Sequence, residues 1–94
     1  MPNNNLKNKI INKAKSLSQK SINKVIGKNI RKIRKRSGAD ALAVSECLNV
    51  TKQSISAFER GEITMSIEKL DKLAKYFKVD INDFFKGLYV PEKK

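Results

Sequence analysis

Residues 42–61, LAVSECLNVTKQSISAFERG, decide the fold because they describe two short helices joined by a turn. The first helix ends near Leu48, and Asn49 follows it at the expected left-handed C-cap, since asparagine tolerates a positive φ. Thr51 then caps the second helix, KQSISAFER, and Gly61 ends it. The stretch therefore predicts a helix, a short turn and a second helix that buries only one side.

A longer helix is predicted before this stretch. Isoleucines recur at helical spacing from Ile22 to Ile33, opposite a face of lysine and arginine, and Ser37-Gly38 is the expected end. Asp40 is then a good N-cap for the helix ALAVSECLN.

Two further helices are predicted toward the C-terminus. Ser66 caps IEKLDKLAKYF, and Asp80 can open a last short helix that contains two phenylalanines. The sequence shows neither strand alternation nor an internal repeat. We therefore expect an all-α chain, with five short helices in a compact bundle over residues 22–88 and a tail at residues 89–94.

Composition limits the function. The chain has 94 residues, which suits one domain, and 39% of them are hydrophobic, which is too few for a membrane span. Its single cysteine, Cys47, excludes an internal disulfide, and the lack of histidine removes the Cys/His metal site and the usual general base. The sequence also lacks a glycine-rich phosphate loop and a paired-carboxylate cluster. We therefore expect no enzymatic activity, no metal and no cofactor.

The net charge of +12 is distributed unevenly along the chain. Residues 1–39 contain 12 Lys or Arg and no acid, whereas residues 40–94 contain 9 bases and 9 acids. This asymmetry favours a polyanionic partner, with nucleic acid first and an anionic membrane second. The alternative is a merely solvated basic face, and an AT-rich genome would also raise the lysine content.

Residues 1–21 form a basic N-terminal extension with a thin apolar stripe through Leu6, Ile10 and Leu17. Three interpretations compete: a disordered arm that follows phosphates, a helix docked on the body or on a dimer mate, and an interfacial membrane helix. The third is disfavoured because the segment contains no Trp or Phe.

Several features at fixed spacing resemble the phage-repressor/Cro-type (XRE-like) helix-turn-helix family of DNA-binding proteins. These features are the small Ser45 within the first helix of the pair, the LNV turn, the apolar Val50 and Ile55, and the closing FERG at residues 58–61. The resemblance extends from residue 25 to about residue 86. It implies a lambda-repressor-like helix-turn-helix domain.

This sequence also departs from the family pattern. Ala41 stands where relatives often carry a phosphate-binding glutamine, and Glu62 begins a loop that often holds a basic residue. The resemblance further implies a structural ion pair between Arg34 and Glu59.

The resemblance implies that the helix of residues 52–60 reads bases in the major groove of double-stranded DNA. Ile55 and Phe58 face the core, and the opposite face carries the expected base-reading residues, which are Lys52, Gln53, Ser56 and Ala57. Lysine can donate to guanine, glutamine can bond adenine, and alanine can touch a thymine methyl. The expected phosphate-binding residues are Lys28, Arg31, Lys35, Thr51, Ser54 and Ser66.

The sequence thus predicts a sequence-specific transcriptional regulator, a repressor from a bacterium or phage, that is cytoplasmic and associated with the nucleoid. The alternative is an adaptor or antitoxin-like partner of another protein, with weak or secondary DNA binding. We expect a homodimer and no small-molecule effector domain. The expected dimer surface consists of Ile81, Phe84, Phe85, Leu88 and Tyr89, although Phe84 fits the core better.

Overall fold

The computed structural model describes residues 18–88, which fold into four α-helices and one 3₁₀ helix. The elements are α1 (Gln19–Ser37), α2 (Ala41–Leu48), α3 (Lys52–Arg60), α4 (Ile67–Phe77) and the 3₁₀ helix Ile81–Phe85. Residues 18–88 contain no β-strand, so the predicted all-α class is confirmed. The predictions for the N-terminal arm up to residue 17 and for Tyr89 lie outside the described residues.

The fifth predicted α-helix is a 3₁₀ helix instead. Asp80 does cap it, but its side chain accepts the N–H of Asn82, only two residues ahead, at 2.8 Å. Lys86 then returns to extended backbone, with φ −60° and ψ 133°, so the helix stops before Gly87, whose φ is 94°. Since only six residues separate Asp80 from Gly87, the segment is too short to repay α-helix nucleation and adopts the tighter turn.

Local capping sets the bounds of the α-helices. Ser18, Asp40, Thr51 and Ser66 precede the four helices, and each side chain accepts a backbone N–H three residues ahead. The helices end at residues in the left-handed conformation, which are Gly38, Asn49, Gly61 and Lys78. The sequence predicted all of these caps except Ser18 and Lys78. Because Ser18 caps α1, this helix begins three residues before Ile22.

All five elements contribute to one hydrophobic core. Its fully buried side chains are Ile30, Val44, Ile55, Leu70, Leu73 and Phe84. Phe84 is 0% exposed, so the 3₁₀ helix supplies a core residue rather than a free apolar surface at this position.

The first half of α1 buries a different stripe from the one that the isoleucines predict. Asn23 and Gly27 are buried, whereas Ile22 and Ile26 are only half-buried. The cause is the end of α3, which lies directly against Gly27. A Cβ atom there would collide with the carbonyl oxygen of Phe58 and lie 2.7 Å from that of Glu59. Only glycine therefore permits this helix crossing.

Gly61 makes the same approach from the other side. Its φ is 77°, and a Cβ atom would lie 2.6 Å from the Cα atom of Lys24. Gly27 and Gly61 together bring the backbone of α1 into contact with the end of α3. This contact fixes the direction in which α3 leaves the core.

Two asparagines of α1 tie later segments to this helix. The side chain of Asn23 donates to the hydroxyl of Thr64, in the loop before α4, at 3.0 Å. That of Asn29 donates to the carbonyl oxygens of Phe84 and Lys86 at 2.8 and 2.9 Å. These bonds satisfy backbone and side-chain groups that would otherwise be left unpaired when the chain packs on α1.

Replacing Gly27 with alanine tests the close crossing. Helix propensity alone would favour alanine by about 1 kcal/mol. The collision with two backbone carbonyls should outweigh this gain and lower the free energy of unfolding by about 2–3 kcal/mol. Urea denaturation followed by circular dichroism measures the change.

Gly38→Ala is the matched control. Gly38 has a φ of 81°, but nothing lies within 4 Å of a Cβ atom there. Its replacement should therefore cost only the conformational strain of about 1–2 kcal/mol. A Gly27→Ala variant as stable as the unaltered protein would contradict the crossing.

Candidate nucleic-acid interface

A tight turn joins α2 to α3. Asn49 adopts the left-handed conformation, with φ 56° and ψ 48°, and the N–H of Val50 donates to the carbonyl oxygen of Ser45 at 3.0 Å. Thr51 then returns to extended backbone and caps α3. The positive φ at Asn49 reverses the chain within three residues, which places α3 across α2.

Packing holds these two helices at a fixed angle. Val44 and Leu48 of α2 and Ile55 of α3 are buried in the same core cluster, and the half-buried Val50 packs against it. The hydroxyl of the buried Ser45 donates to the carbonyl oxygen of Leu42 at 2.6 Å, so this polar side chain is satisfied within its own helix. The inner face of α3 is therefore fixed, and its outer face is presented as a rigid surface.

The outer face of α3 is most open at its N-terminal end. Lys52 and Gln53 are exposed, whereas Ser56 and Ala57 are half-buried. The structure thus brings the four predicted base-reading residues onto one helix but leaves only the first two fully open. Long side chains at the open end of a rigid helix can reach a partner that the backbone itself does not touch.

The N-terminus of α3 also offers hydrogen-bond donors. The Thr51 hydroxyl oxygen accepts the N–H of Ser54 at 3.0 Å, and the hydroxyl donates to Oγ of Ser54 at 2.9 Å. The Thr51 hydroxyl proton is therefore engaged, whereas that of Ser54 remains available. The N–H groups of Lys52 and Gln53 have no partner inside the helix, and with the helix dipole they favour an anion here.

Helix α1 carries most of the positive charge of the described residues. Gln19–Ser37 contains eight Lys or Arg residues and no acid. Lys28, Arg31 and Lys35 are exposed and follow one another at helical spacing. Ser66 is exposed at the start of α4, where its side chain accepts the N–H of Lys69 at 3.2 Å. Of these four predicted phosphate-binding residues, only Arg31 lines a cleft against the end of α3.

Arg34 and Glu59 connect α1 to the end of α3 through a two-pronged ion pair. Nε of Arg34 donates to Oε2 of Glu59, and its second terminal nitrogen donates to Oε1 at 3.0 Å. Arg34 also donates to the carbonyl oxygen of Ala39, which lies in the connection between α1 and α2, at 3.1 Å. The side chains are only 13% and 8% exposed. The hydrogen bond to Glu59 raises the pKa of Arg34 above its ordinary value, since the ion pair stabilises the charged guanidinium.

The comparisons with known proteins agree with this geometry. The family model HTH_3, described as helix-turn-helix, matches residues 30–84, which is more than half of the chain. The chain belongs to the HTH_3 helix-turn-helix family. The resemblance found in the sequence is thereby confirmed, and the matched range runs from the middle of α1 into the 3₁₀ helix.

A solved structure shares the HTH_3 fold. The chain is similar to an HTH_3 family transcriptional regulator from Vibrio cholerae, with a TM-score of 0.65 and 25% sequence identity. The similarity covers 72% of this chain and 38% of that chain, so this protein spans well under half of the regulator's length. No curated protein matches the chain significantly.

Several residues that shape this HTH_3 interface were not predicted from the sequence. Gly27 and Asn23 lie four residues apart within a lysine-rich helix, and this small and polar pair was the available signal for a close crossing. No comparable pattern indicated the ion pair between Arg60 and Glu62, because two exposed opposite charges at this spacing are common in loops.

Within residues 18–88, no helix combines the length and the apolar character needed to cross a membrane. The same residues include no group of three or more His, Cys, Asp or Glu side chains that could hold a metal ion.

Removing the carboxylate of Glu59 tests the ion pair. Glu59→Ala leaves the guanidinium of Arg34 largely buried without its partner, and this should lower the free energy of unfolding by about 3 kcal/mol. Asp71→Asn is the matched control, because Asp71 pairs with Lys75 at 3.0 Å on the exposed face of α4. That variant should lose less than about 1 kcal/mol. Equal losses in urea denaturation would refute a structural role for the buried pair.

Proposed function

We propose that this protein is a sequence-specific double-stranded DNA-binding transcriptional regulator that reads the major groove with α3. The observation that carries the proposal is the exposure of Lys52 and Gln53 at the N-terminal end of a helix whose inner face is locked by Ile55 and Phe58. The HTH_3 membership supports it, because the second helix of such a motif enters the major groove with its N-terminal residues toward the bases.

The residue types at this end suit base recognition. Lysine donates to O6 and N7 of guanine, and glutamine can form two hydrogen bonds with adenine. Each good bidentate contact discriminates by about 1–3 kcal/mol. Ser56 and Ala57, being half-buried, would contribute closer contacts, such as that of alanine with a thymine methyl group.

Phosphate contacts supply most of the affinity in this proposal. The candidates are Lys28, Arg31, Lys35, Thr51, Ser54 and Ser66, together with the lysines of the N-terminal extension. Because the hydroxyl of Thr51 already donates to Ser54, the Ser54 hydroxyl and the first N–H groups of α3 are the better donors at that end. Phosphate contacts do not select a sequence, but they fix the register in which α3 meets the bases.

We further propose that the protein acts as a homodimer and represses transcription. A dimer allows two copies of α3 to meet half-sites one helical turn apart. Ile81, Phe85 and Leu88 are half-buried and remain available for the contact, whereas Phe84 belongs to the core. Repression requires only that a bound dimer occupies its site.

The protein-adaptor alternative would draw on the exposed apolar side chains of the described residues. These are Leu42, Ile63, Ile67 and Tyr76. Scattered exposed apolar residues are ordinary on soluble proteins, so these four do not favour the adaptor over the DNA-binding regulator.

Selection of bound duplexes from a random pool tests the reading helix. Lys52→Ala and Gln53→Ala should each relax the preference at one or two base positions, because each removes one set of base contacts. Lys72→Ala, on the exposed face of α4, is the control and should select the same site as the unaltered protein. If neither α3 variant changes the selected site, α3 does not read the bases.

Removal of residues 1–17 tests the basic extension. The cut is placed there because Ser18 caps α1, and a longer deletion would also weaken the helix. Binding to all sequences should weaken alike, and each lost phosphate contact should reduce the salt slope by about 0.9.

A variant with Lys7, Lys9, Lys13 and Lys15 changed to glutamine keeps the length of the extension and isolates its charge. It should behave like the deletion. An unchanged salt slope in both variants would show that the extension makes no phosphate contacts.

A further inference from the structure

A shallow cleft lies where the first half of α1 crosses the end of α3. It is lined by four cationic side chains and two carboxylates, which are Lys20, Lys24, Arg31, Arg60, Glu59 and Glu62. Gly61, also in its lining, lies against the backbone of Lys24. The cleft therefore has a strongly charged lining, carried by two segments whose backbones are in contact.

The surface of this cleft is positive because Arg34 already neutralises one of its two carboxylates, that of Glu59. Glu59 is bound by Arg34 and is 8% exposed, so it adds little negative charge to the surface. None of the ion pairs found among residues 18–88 involves Lys20, Lys24 or Arg31. These three cations are thus available to an anion from solution.

The second carboxylate, that of Glu62, forms an ion pair with the fourth cation, Arg60. Nε of Arg60 donates to Oε2 of Glu62 at 2.9 Å, and a terminal nitrogen of Arg60 donates to Oε1 at 2.9 Å. The turn at Gly61, with its positive φ, brings the two side chains together although only one residue separates them. This two-pronged arrangement is also the one in which arginine binds a phosphate.

The pair is open to exchange with a solution anion. Arg60 and Glu62 are 59% and 56% exposed, so a phosphate can approach Arg60 while Glu62 turns into water. The hydrogen bond from Arg60 lowers the pKa of Glu62, and this carboxylate, which is ionised at neutral pH in any case, competes with another anion for Arg60.

The position of the cleft suits the DNA backbone. The cleft lies at the C-terminal end of α3, and Lys52 and Gln53 lie at the other end of this nine-residue helix. A rise of 1.5 Å per residue separates the two ends by about 12 Å, which exceeds the depth of the major groove, about 8.5 Å. When α3 enters the groove with its N-terminal end toward the bases, its C-terminal end therefore stays near the phosphates at the rim of the groove.

We propose that this cleft binds a phosphate of the DNA backbone, and that Glu62 holds Arg60 as an internal competitor until the phosphate replaces it. The inference rests on the proposed function, which supplies the DNA. Glu62 thereby lowers the sequence-independent affinity, since every duplex must displace it before Arg60 can contribute.

The test compares Glu62→Gln with Asp71→Asn in the full chain. Both raise the net charge by one and release an exposed cation, but Asp71 releases Lys75 on α4, away from the cleft. The probe is a random-sequence duplex, and Kd is measured from 0.05 to 0.2 M salt. Glu62→Gln should lower Kd by up to about eightfold at 0.1 M salt and steepen the salt slope by up to about 0.9, as one added phosphate contact would.

Arg60→Ala, added to each variant, shows whether the gain passes through Arg60. The gain from Glu62→Gln should disappear with Arg60→Ala, whereas any small gain from Asp71→Asn should persist. Equal changes in Kd and salt slope for Glu62→Gln and Asp71→Asn would overturn the inference, as would a gain that survives the loss of Arg60.

The two proposals fail separately. If a site dependent on Lys52 is selected but Glu62→Gln behaves like Asp71→Asn, α3 reads DNA and the cleft does not bind its backbone. If the protein selects no sequence, the proposed function fails, and the comparison on the random duplex still decides whether the cleft binds phosphate.

Discussion

The contact between the backbone of α1 and the end of α3 determines how the rest of the molecule is arranged. It requires glycine at position 27, because a Cβ atom there would collide with the carbonyl oxygens of α3. At the same end of α3, Arg34 holds Glu59 in a nearly buried ion pair. Directly after α3, Gly61 turns the chain against the backbone of Lys24. With its C-terminal end held at three points, α3 projects its N-terminal end outward in one direction.

Near the same crossing, two carboxylates differ in their exposure to solvent. The carboxylate of Glu59 lies beneath the surface and serves the fold, because Arg34 satisfies it there. The carboxylate of Glu62 lies on the surface, where its bond to Arg60 is weak enough to be exchanged. Two acids three residues apart thus differ in role, since one is shielded from solvent and the other is not.

The helix-turn-helix could be predicted closely from the sequence. Asp40, Thr51 and Ser66 begin helices where their residue types favour capping, and Asn49 and Gly61 end them with positive φ. The pair between Arg34 and Glu59 was expected from the family resemblance, not from any local pattern. The stripe of α1 was predicted only in its second half, because isoleucine spacing could not reveal that α3 would press against Asn23 and Gly27.

By itself, the sequence determined where α2, α3 and α4 begin and end, where α1 ends, and which end of α3 carries long polar side chains. These features depend on residues within one or two turns of each other, so local rules suffice. Only the tertiary structure decided that Gly27 and Asn23 would be buried and that a basic cleft would contain Glu62. The physical reason is that burial, close backbone approach and local charge depend on which distant segments meet. The residues of one segment alone do not show which segment will pack against it.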